Sequence, residues 1–153
     1  PYTTLFRSGI PPIISPLMLK TLSEMGHGDT LVIADGNFPA ESVGKDAVVI
    51  RCDGHGVPEL LRAIVTLLPL DTYVDQPVTL MDVVEGDDVD TPIWREYESI
   101  VAGVDPRGTE AIGKLERFDF YDRARGAYCI IATSERAQYA NVILRKGVVF
   151  PGE

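Results

Sequence analysis

His27 is the residue of this sequence best suited to acid–base chemistry, because histidine titrates close to neutral pH. It lies between Gly26 and Gly28, where the backbone can turn sharply and the imidazole stays uncrowded. Asp29 and Asp35 follow it, and a carboxylate beside an imidazole favours the protonated, proton-donating form. The pattern predicts a general acid for a small polar substrate. A histidine that follows a helix can also serve as a C-terminal cap, and both interpretations remain open.

The residues on either side of His27 predict the elements that hold it. Ser15-Pro16 is typical of a helix start, because serine caps the first turn and proline fits its first position. A buried strand is predicted over 30–34, so His27 and Asp35 lie at opposite ends of one strand or fold back toward neighbouring elements. The helix is predicted from an apolar stripe made of Met18, Leu19, Leu22 and Met25.

Two pairs of polar residues in the last third of the chain suit a ligand with several hydroxyl groups. Arg117 and Tyr121 are four residues apart and share a face if the segment is helical, although an arginine packed over an aromatic ring is the alternative. Tyr139 and Asn141 share a face if their segment is extended, and they offer a phenol and an amide. We expect the two pairs to converge on one ligand where the final strands approach the His27 turn.

Asp71 is a third candidate carboxylate. It follows a helix predicted over 58–68 and precedes a strand predicted over 78–84. It therefore lies at the rim of the sheet, where a carboxylate faces either a cleft or water. The sequence leaves both possibilities open.

A helix is predicted to begin after Thr91-Pro92. Its apolar stripe is most simply part of the core rather than an aromatic binding surface. The stripe consists of Ile93, Trp94, Tyr97, Ile100 and Val101.

Gly54-x-Gly56 lies between a predicted strand and a predicted helix, as in a dinucleotide-binding turn. The third glycine of that motif is replaced by Glu59, whose charge would repel a pyrophosphate. A strand-to-helix turn that needs positive φ explains the glycines more simply. His55, between them, is expected at the surface of the turn.

The composition predicts one acidic domain. A chain of 153 residues can bury one core, and 14 basic against 23 acidic residues give a net charge of -9. That charge argues against nucleic-acid partners and anionic membrane surfaces. Cys52 and Cys129 form no metal or redox motif and are expected as free thiols in the cytoplasm. Residues 1–8 are expected to be a disordered or non-native extension, with a single domain over 9–153.

The predicted order of elements is helix, strand, strand, helix, strand, helix, helix, strand, strand. This order predicts an α/β fold with a single mixed β-sheet covered by helices. Neither internal repeats nor linkers are visible in the sequence.

Seven segments resemble the ribose pyranase / L-fucose mutarotase family over nearly the whole chain from Gly9 onward. They are SPLMLKTLSEMGHGD, IADGNFPA, RCDGHGVPELL, PLDTY, VEGD, RFDFYDRA and SERAQYANVILRKGV. The resemblance implies an enzyme without metal or cofactor that interconverts the α and β anomers of a monosaccharide. It also implies a ring-shaped homo-oligomer, often a decamer, with sites near subunit boundaries. Neither nucleic acid nor membrane is an implied partner.

The resemblance also implies roles for individual residues. His27 matches the proton donor of the family, and Asp71 matches a second catalytic acid of the fucose-type members. The remaining matches are sugar ligands: Asp35, Arg117, Tyr121, Tyr139 and Asn141. The segment RFDFYDRA is similar to the fucose branch rather than the ribose branch, whereas His55 and Gly36-Asn37 depart from the usual pattern.

Three functions from different classes follow from the sequence. The first is a mutarotase acting on L-fucose or a related pyranose. The second is a sugar-binding or sensing protein on the same scaffold that has lost catalysis. The third is a nucleotide-binding module that uses Gly54-x-Gly56.

Overall fold

The computed structural model describes residues 7–152. The predicted extension at 1–8 lies mostly outside this range, and within it Arg7 forms an isolated bridge with Ile10. The described elements, in chain order, are α1 (Pro16–Glu24), β1 (Thr30–Ala34), α2 (Ala40–Val43), β2 (Val48–Cys52), α3 (Val57–Ile64), β3 (Val78–Met81), α4 (Ile93–Ala102), a short 3-10 helix (Gly108–Ala111), β4 (Ile112–Leu115), α5 (Arg117–Arg125), β5 (Cys129–Thr133) and β6 (Val142–Arg145).

The strands form one six-stranded sheet in the order β2-β5-β1-β6-β3-β4. Strand β6 runs antiparallel to both of its neighbours, β1 and β3, while the other pairings are parallel. The predicted mixed sheet is therefore confirmed. The predicted order of elements was wrong in two places, because α2 and β4 were missed. Helix α2 is a single turn, and β4 contains Gly113 and Lys114, so neither has a clear apolar period.

Helices cover both faces of the sheet, and the pleat of β1 divides its side chains between two cores. Leu31 and Ile33 belong to the core beneath α1, α3 and α4, whereas Val32 and Ala34 belong to the core beneath α2 and α5. Because β1 is buried on both faces, its sequence is a continuous apolar run.

Helix α1 begins as predicted and delivers the chain to the His27 turn. The Ser15 side chain accepts a hydrogen bond from the Met18 N–H at 3.1 Å, and Pro16 occupies the first helical position. After the helix, the Asp29 carboxylate accepts from the Gly26 N–H at 2.7 Å. The C-cap of α1 is Met25, whose N–H donates to the Thr21 carbonyl at 3.2 Å, so His27 is not the capping residue of this helix.

Residues 145–147 form backbone hydrogen bonds with the segments 28–29 and 69–71, and we call this arrangement the 145–147 junction. Gly147 allows the close approach, because a Cβ there would lie 2.6 Å from the Leu70 carbonyl oxygen and 2.7 Å from the Asp71 Cα. The Gly28 N–H donates to the Lys146 carbonyl and the Lys146 N–H to the Asp29 carbonyl, both at 2.9 Å. The Asp71 N–H donates to the Arg145 carbonyl at 3.1 Å, and the Gly147 N–H donates to the Pro69 carbonyl at 2.8 Å.

Three expectations from composition bear on the described residues. Both cysteines are free; Cys129 is buried and Cys52 half-buried. Within residues 7–152, no helix has the length and apolar character that a membrane crossing needs. The same residues contain no group of three or more histidine, cysteine or acidic side chains arranged to hold a metal ion.

Gly147→Ala tests the junction. The added methyl group must push the 69–71 segment away, and such overpacking costs about 1–3 kcal/mol in free energy of unfolding. Urea denaturation measures the loss. Gly126→Ala is the matched control, because its Cβ would meet only the Arg123 carbonyl oxygen at an ordinary 3.5 Å. Equal stability of the two variants would show that the junction tolerates a side chain.

Candidate active site

Four of the predicted ligand residues meet in one cleft of about 190 Å³ at the carboxyl end of β1. They are Asp35, Tyr121, Tyr139 and Asn141. Ligands of open α/β sheets commonly bind at this edge, beyond the ends of the parallel strands. The other lining residues, which the sequence did not reveal, are Asn37, Phe38, Met81, Asp87 and Gln138.

Asp35 and Asn141 form the buried floor of the cleft. The Asn141 Oδ1 accepts the Asp35 backbone N–H at 2.7 Å, which directs the amide NH2 group to other acceptors. The Asp35 Oδ1 accepts the Asn37 N–H at 3.0 Å. Burial raises the pKa of the Asp35 carboxyl above its usual value, and hydrogen bonds from neighbouring backbone N–H groups oppose the shift only in part. Asp35 is therefore a stronger proton acceptor than an exposed aspartate.

Tyr139 closes the cleft in a conformation that the sequence did not predict. Its φ is 53°, so the expected extended segment is wrong at this residue. The phenol O–H donates to the Asp87 carboxylate, and its oxygen accepts the Val84 N–H at 3.3 Å. The hydrogen bond to Asp87 raises the pKa of Tyr139, with burial as a smaller cause. The phenol stays protonated, and its oxygen can accept a ligand hydroxyl.

Helix α4 holds the Tyr139–Asn141 backbone in place. The Trp94 indole N–H donates to the Tyr139 carbonyl at 2.8 Å, and the Tyr97 hydroxyl donates to the Ala140 carbonyl at 2.7 Å. Tyr97 is fully buried, and Trp94 packs half-buried against the core, so the predicted core stripe is confirmed. Their hydroxyl and indole groups also support the binding segment, which the apolar pattern alone could not show.

Tyr121 and Arg117 share a face of α5, as expected for a helix, but they do not share the cleft. Tyr121 lines it and packs against Phe38 with ring centroids 5.4 Å apart. Arg117 is exposed, and its guanidinium lies over the Phe118 ring at 4.8 Å. Its charge lowers the pKa of Tyr139 as the weakest of several influences.

A second cluster lies at the amino end of β1 and contains His27, Asp71 and Arg145. The His27 Nε2 is 3.0 Å from the Asp71 Oδ1, and the Arg145 Nε donates to the Asp71 Oδ2 at 2.9 Å. The Asp71 side chain is 0% exposed, whereas those of His27 and Arg145 are 44% and 43% exposed. The sequence suggested Asp29 or Asp35 as the partner of His27, and the structure gives Asp71 instead.

Opposing influences act on the Asp71 carboxyl. Burial alone would raise its pKa, but hydrogen bonds from the Tyr73 N–H, Arg145 and His27 outweigh burial and lower the pKa below the usual value. Asp71 is therefore a permanent anion at neutral pH. Its carboxylate oxygens are engaged inside the protein, so Asp71 can influence a ligand only through His27.

The two clusters lie apart within one chain. The expectation that the pairs Arg117/Tyr121 and Tyr139/Asn141 converge near the His27 turn is therefore corrected. β1 has five residues between them and spans about 17 Å at the usual rise. Strand β6 is antiparallel to β1, so Asn141 at its start lies beside Asp35, and Arg145 at its end lies beside the His27 turn. The final strand approaches His27 with its arginine rather than with its asparagine.

The backbone N–H groups of the Gly54-x-Gly56 turn, which would bind a pyrophosphate, are already bound by side chains of the protein. Gly54 adopts the predicted positive φ of 89°. The N-terminus of α3 is occupied by two carboxylates: Glu59 accepts the Gly56 N–H and Glu135 accepts the Val57 N–H, both at 3.0 Å. These acceptors contradict the nucleotide-binding hypothesis, and Glu135 could not have been placed there from sequence.

Comparisons with known proteins cover nearly the whole chain. The model of the RbsD / FucU transport protein family matches residues 8–149. The fucose mutarotase of Homo sapiens is 49% identical over 147 residues, which is 92% of this chain and 93% of that protein. The structure of FucU from Bifidobacterium longum superimposes with a TM-score of 0.92 at 64% sequence identity. The structure of the fucose mutarotase from Streptococcus pneumoniae in complex with L-fucose superimposes with a TM-score of 0.87 at 49% sequence identity. Each alignment covers 94% of this chain and 100% of the other.

Asp71→Asn tests the buried carboxylate through its pH dependence. The variant loses charge-assisted hydrogen bonds, so the free energy of unfolding falls by about 1–3 kcal/mol at neutral pH. Because folding lowers the pKa of Asp71, its contribution is fully present above the unfolded value of about 3.9 and is lost as the pH falls through the folded value. Urea titrations of both proteins should show a constant difference above about pH 5 that closes below about pH 4.

Asp46→Asn is the control for that titration, because Asp46 is exposed and forms no ion pair within residues 7–152. A difference between wild type and Asp71→Asn that stayed constant down to acidic pH would contradict the lowered pKa of Asp71.

Proposed function

This chain belongs to the RbsD / FucU family, and from that premise we propose that it is a mutarotase that interconverts the α and β anomers of L-fucose or a related pyranose. The observation that carries the proposal is the pairing of an exposed histidine with a buried carboxylate, together with a separate polar cleft of sugar size. The relatives named fucose mutarotase and the neighbour bound to L-fucose support this substrate class.

Mutarotation needs only proton transfers. An acid protonates the ring oxygen while the C1–O5 bond breaks, and a base takes the proton of the anomeric hydroxyl, which leaves an open-chain aldehyde. Rotation about the C1–C2 bond and reclosure then give the other anomer. We assign the acid to His27. Its Nε2 is held by Asp71, so Nδ1, which has no hydrogen-bond partner within residues 7–152, is the atom that reaches the sugar.

The cleft supplies the sugar ligands and the proton acceptor. Asp35, Asn141 and Tyr121 offer a carboxylate, an amide and a phenol to the hydroxyl groups of a pyranose. Asp35 is the better candidate base, because burial raises its pKa, whereas the Tyr139 hydroxyl already donates to Asp87. Arg117, a ligand that the sequence resemblance implies, is assigned to an outer hydroxyl of the sugar.

One chain cannot bring both clusters to one sugar, because β1 separates them. We propose that neighbouring copies complete each site: one gives His27 and the other gives the Asp35 cleft. A closed ring satisfies every site in this head-to-tail manner, and a decamer built from such rings is the assembly that the sequence resemblance implied. Exposed Tyr73, 5.3 Å from the His27 ring, and Phe150 beside it form an aromatic surface suited to this contact.

The same scaffold could bind a sugar without converting it. The Asp71 network favours catalysis, because a buried carboxylate that orients an exposed imidazole is the arrangement that proton transfer needs. We also propose a cytoplasmic location, because both cysteines are free thiols, as is usual in reducing compartments.

His27→Ala should abolish most anomer exchange. The variant loses the general acid, which typically contributes about 10²–10⁴-fold, while the cleft at the other end of β1 stays intact. Saturation-transfer NMR on the anomeric protons of L-fucose measures the exchange rate, and D-ribose measured in parallel shows which sugar is preferred.

His55→Ala is the matched control, because His55 is exposed and pairs only with Glu59 on its own helix turn. Exchange at the wild-type rate in His27→Ala would remove His27 from the mechanism. Fucose-dependent line broadening without exchange in the wild-type protein would establish the sugar-binding alternative.

Mixed oligomers test whether two copies share a site. His27→Ala and Asn141→Ala chains should each be nearly inactive, the second because a lost buried ligand costs about 1–3 kcal/mol of sugar binding. Co-assembled in equal amounts, they form intact sites wherever an Asn141→Ala chain presents His27 to the cleft of a His27→Ala neighbour. About a quarter of the wild-type exchange then returns in a ring of random order.

Mixing the two folded proteins after assembly, without subunit exchange, is the control and should restore nothing. A mixture that stays inactive after co-assembly, or a monomer by light scattering with full activity, would show that each chain carries a complete site.

A further inference from the structure

We propose that Arg145 is a positioning residue of the acid–base site, holding the Asp71 carboxylate so that His27 presents its Nδ1 to the sugar. This inference deepens the proposed function and rests on it. Arg145 does not touch the substrate in this scheme; it acts through Asp71.

The geometry of the Asp71 carboxylate carries the proposal. Oδ1 is shared by the His27 Nε2 and the Tyr73 N–H, each at 3.0 Å, and Oδ2 receives the Arg145 Nε at 2.9 Å. Without the arginine, Oδ2 would be a buried anionic oxygen with no donor within residues 7–152, and the carboxylate would be free to turn toward other partners. The arginine thus fixes the plane of the carboxylate, and the carboxylate fixes the imidazole.

The backbone holds Arg145 itself in place. The Arg145 N–H donates to the Pro77 carbonyl at 2.9 Å, and the Arg145 carbonyl accepts the Asp71 N–H at 3.1 Å. Arg145 and Asp71 are therefore linked through main chain and side chain together. The guanidinium also lies against the turn that carries His27, since a Cβ on Gly28 would be 3.1 Å from its Nη2. A small displacement of the Arg145 guanidinium therefore affects both Asp71 and the turn that carries His27.

Arg123 supplies a matched comparison. It lines the same cavity as Arg145, of about 540 Å³, but its Nη1 donates to the Thr79 hydroxyl at 3.2 Å and not to Asp71. Arg107 also lies near Asp71, but its Nη2 donates to the Asp71 carbonyl and its charge is paired with Asp105. Arg145 is thus distinguished from both by its contact with the carboxylate.

Arg145→Gln should lower the exchange rate of bound L-fucose at least about tenfold while changing the sugar KM less than about twofold, because the sugar ligands are untouched. The acidic limb of the pH–rate profile should also move to higher pH, since the Arg145 hydrogen bond is one cause of the lowered pKa of Asp71. Arg145→Lys keeps the charge and should recover part of the rate. Arg123→Gln should match wild type.

A double-mutant cycle separates action through Asp71 from a general structural role. If Arg145 works through the carboxylate, Arg145→Gln lowers the rate by less than about twofold when Asp71 is already asparagine. Equal losses in both backgrounds, or a wild-type rate in the folded Arg145→Gln variant, would overturn the proposal.

The ring nitrogens of His27 give a readout that does not depend on activity. In nitrogen-15 NMR of the wild-type protein, the neutral form of the His27 ring should carry its proton on Nε2, the nitrogen that faces Asp71. In Arg145→Gln this preference should weaken, and in Arg145→Lys it should recover in part; an unchanged tautomer would overturn the proposal. If wild type shows no anomer exchange, the proposed function fails while this measurement still decides the role of Arg145.

Discussion

The burial of one carboxylate governs the arrangement of this molecule around its reactive histidine. An aspartate removed from water is tolerated only when donors satisfy both of its oxygens, and Asp71 is 0% exposed. Its donors come from three places far apart in sequence: His27, the Tyr73 backbone and Arg145. The segments that carry them must therefore meet, and the 145–147 junction is the backbone that brings them together.

Strand β1 determines how far the Asp71 cluster lies from the sugar cleft. One end of the strand leads into the His27 turn and the other into Asp35, so a single buried element separates the proton donor from the sugar cleft. Antiparallel β6 spans the same distance as β1, with Asn141 beside Asp35 and Arg145 beside the His27 turn. If this chain acts as proposed, assembly is part of its chemistry rather than an addition to it.

The sequence predicted best those features that depend on near neighbours. The cap of α1, the apolar run of β1 and the helical spacing of Arg117 and Tyr121 need only a few adjacent residues, and each was confirmed. The contact of His27 with Asp71 joins residues 44 apart, and no local pattern encodes it. The family resemblance supplied the candidate residues but not their division between two ends of the sheet.

Some misses had a physical cause that local patterns cannot reveal. Tyr139 departs from an extended backbone, and Trp94 and Tyr97 hold the carbonyls of Tyr139 and Ala140, although the sequence pattern predicts only a core role for both. Their rings pack in the core as the helix pattern predicts, while their indole N–H and hydroxyl groups bind the backbone beside the cleft. Met81 was missed because the strand predicted over 78–84 ends at Met81 in the structure, where β3, which runs parallel to β1, reaches the same edge of the sheet.

The two carboxylates of the site show how the fold assigns different chemistry to the same side chain. Asp35 is buried among neutral backbone donors, and burial raises its pKa; Asp71 is buried beside an arginine and a histidine, and their hydrogen bonds, with that of Tyr73, lower its pKa. Environments that separate two pKa values in this way separate an exchangeable proton from a fixed charge. Asp35 is thereby suited to take a proton from a sugar, whereas Asp71 is suited to hold the residue that gives one.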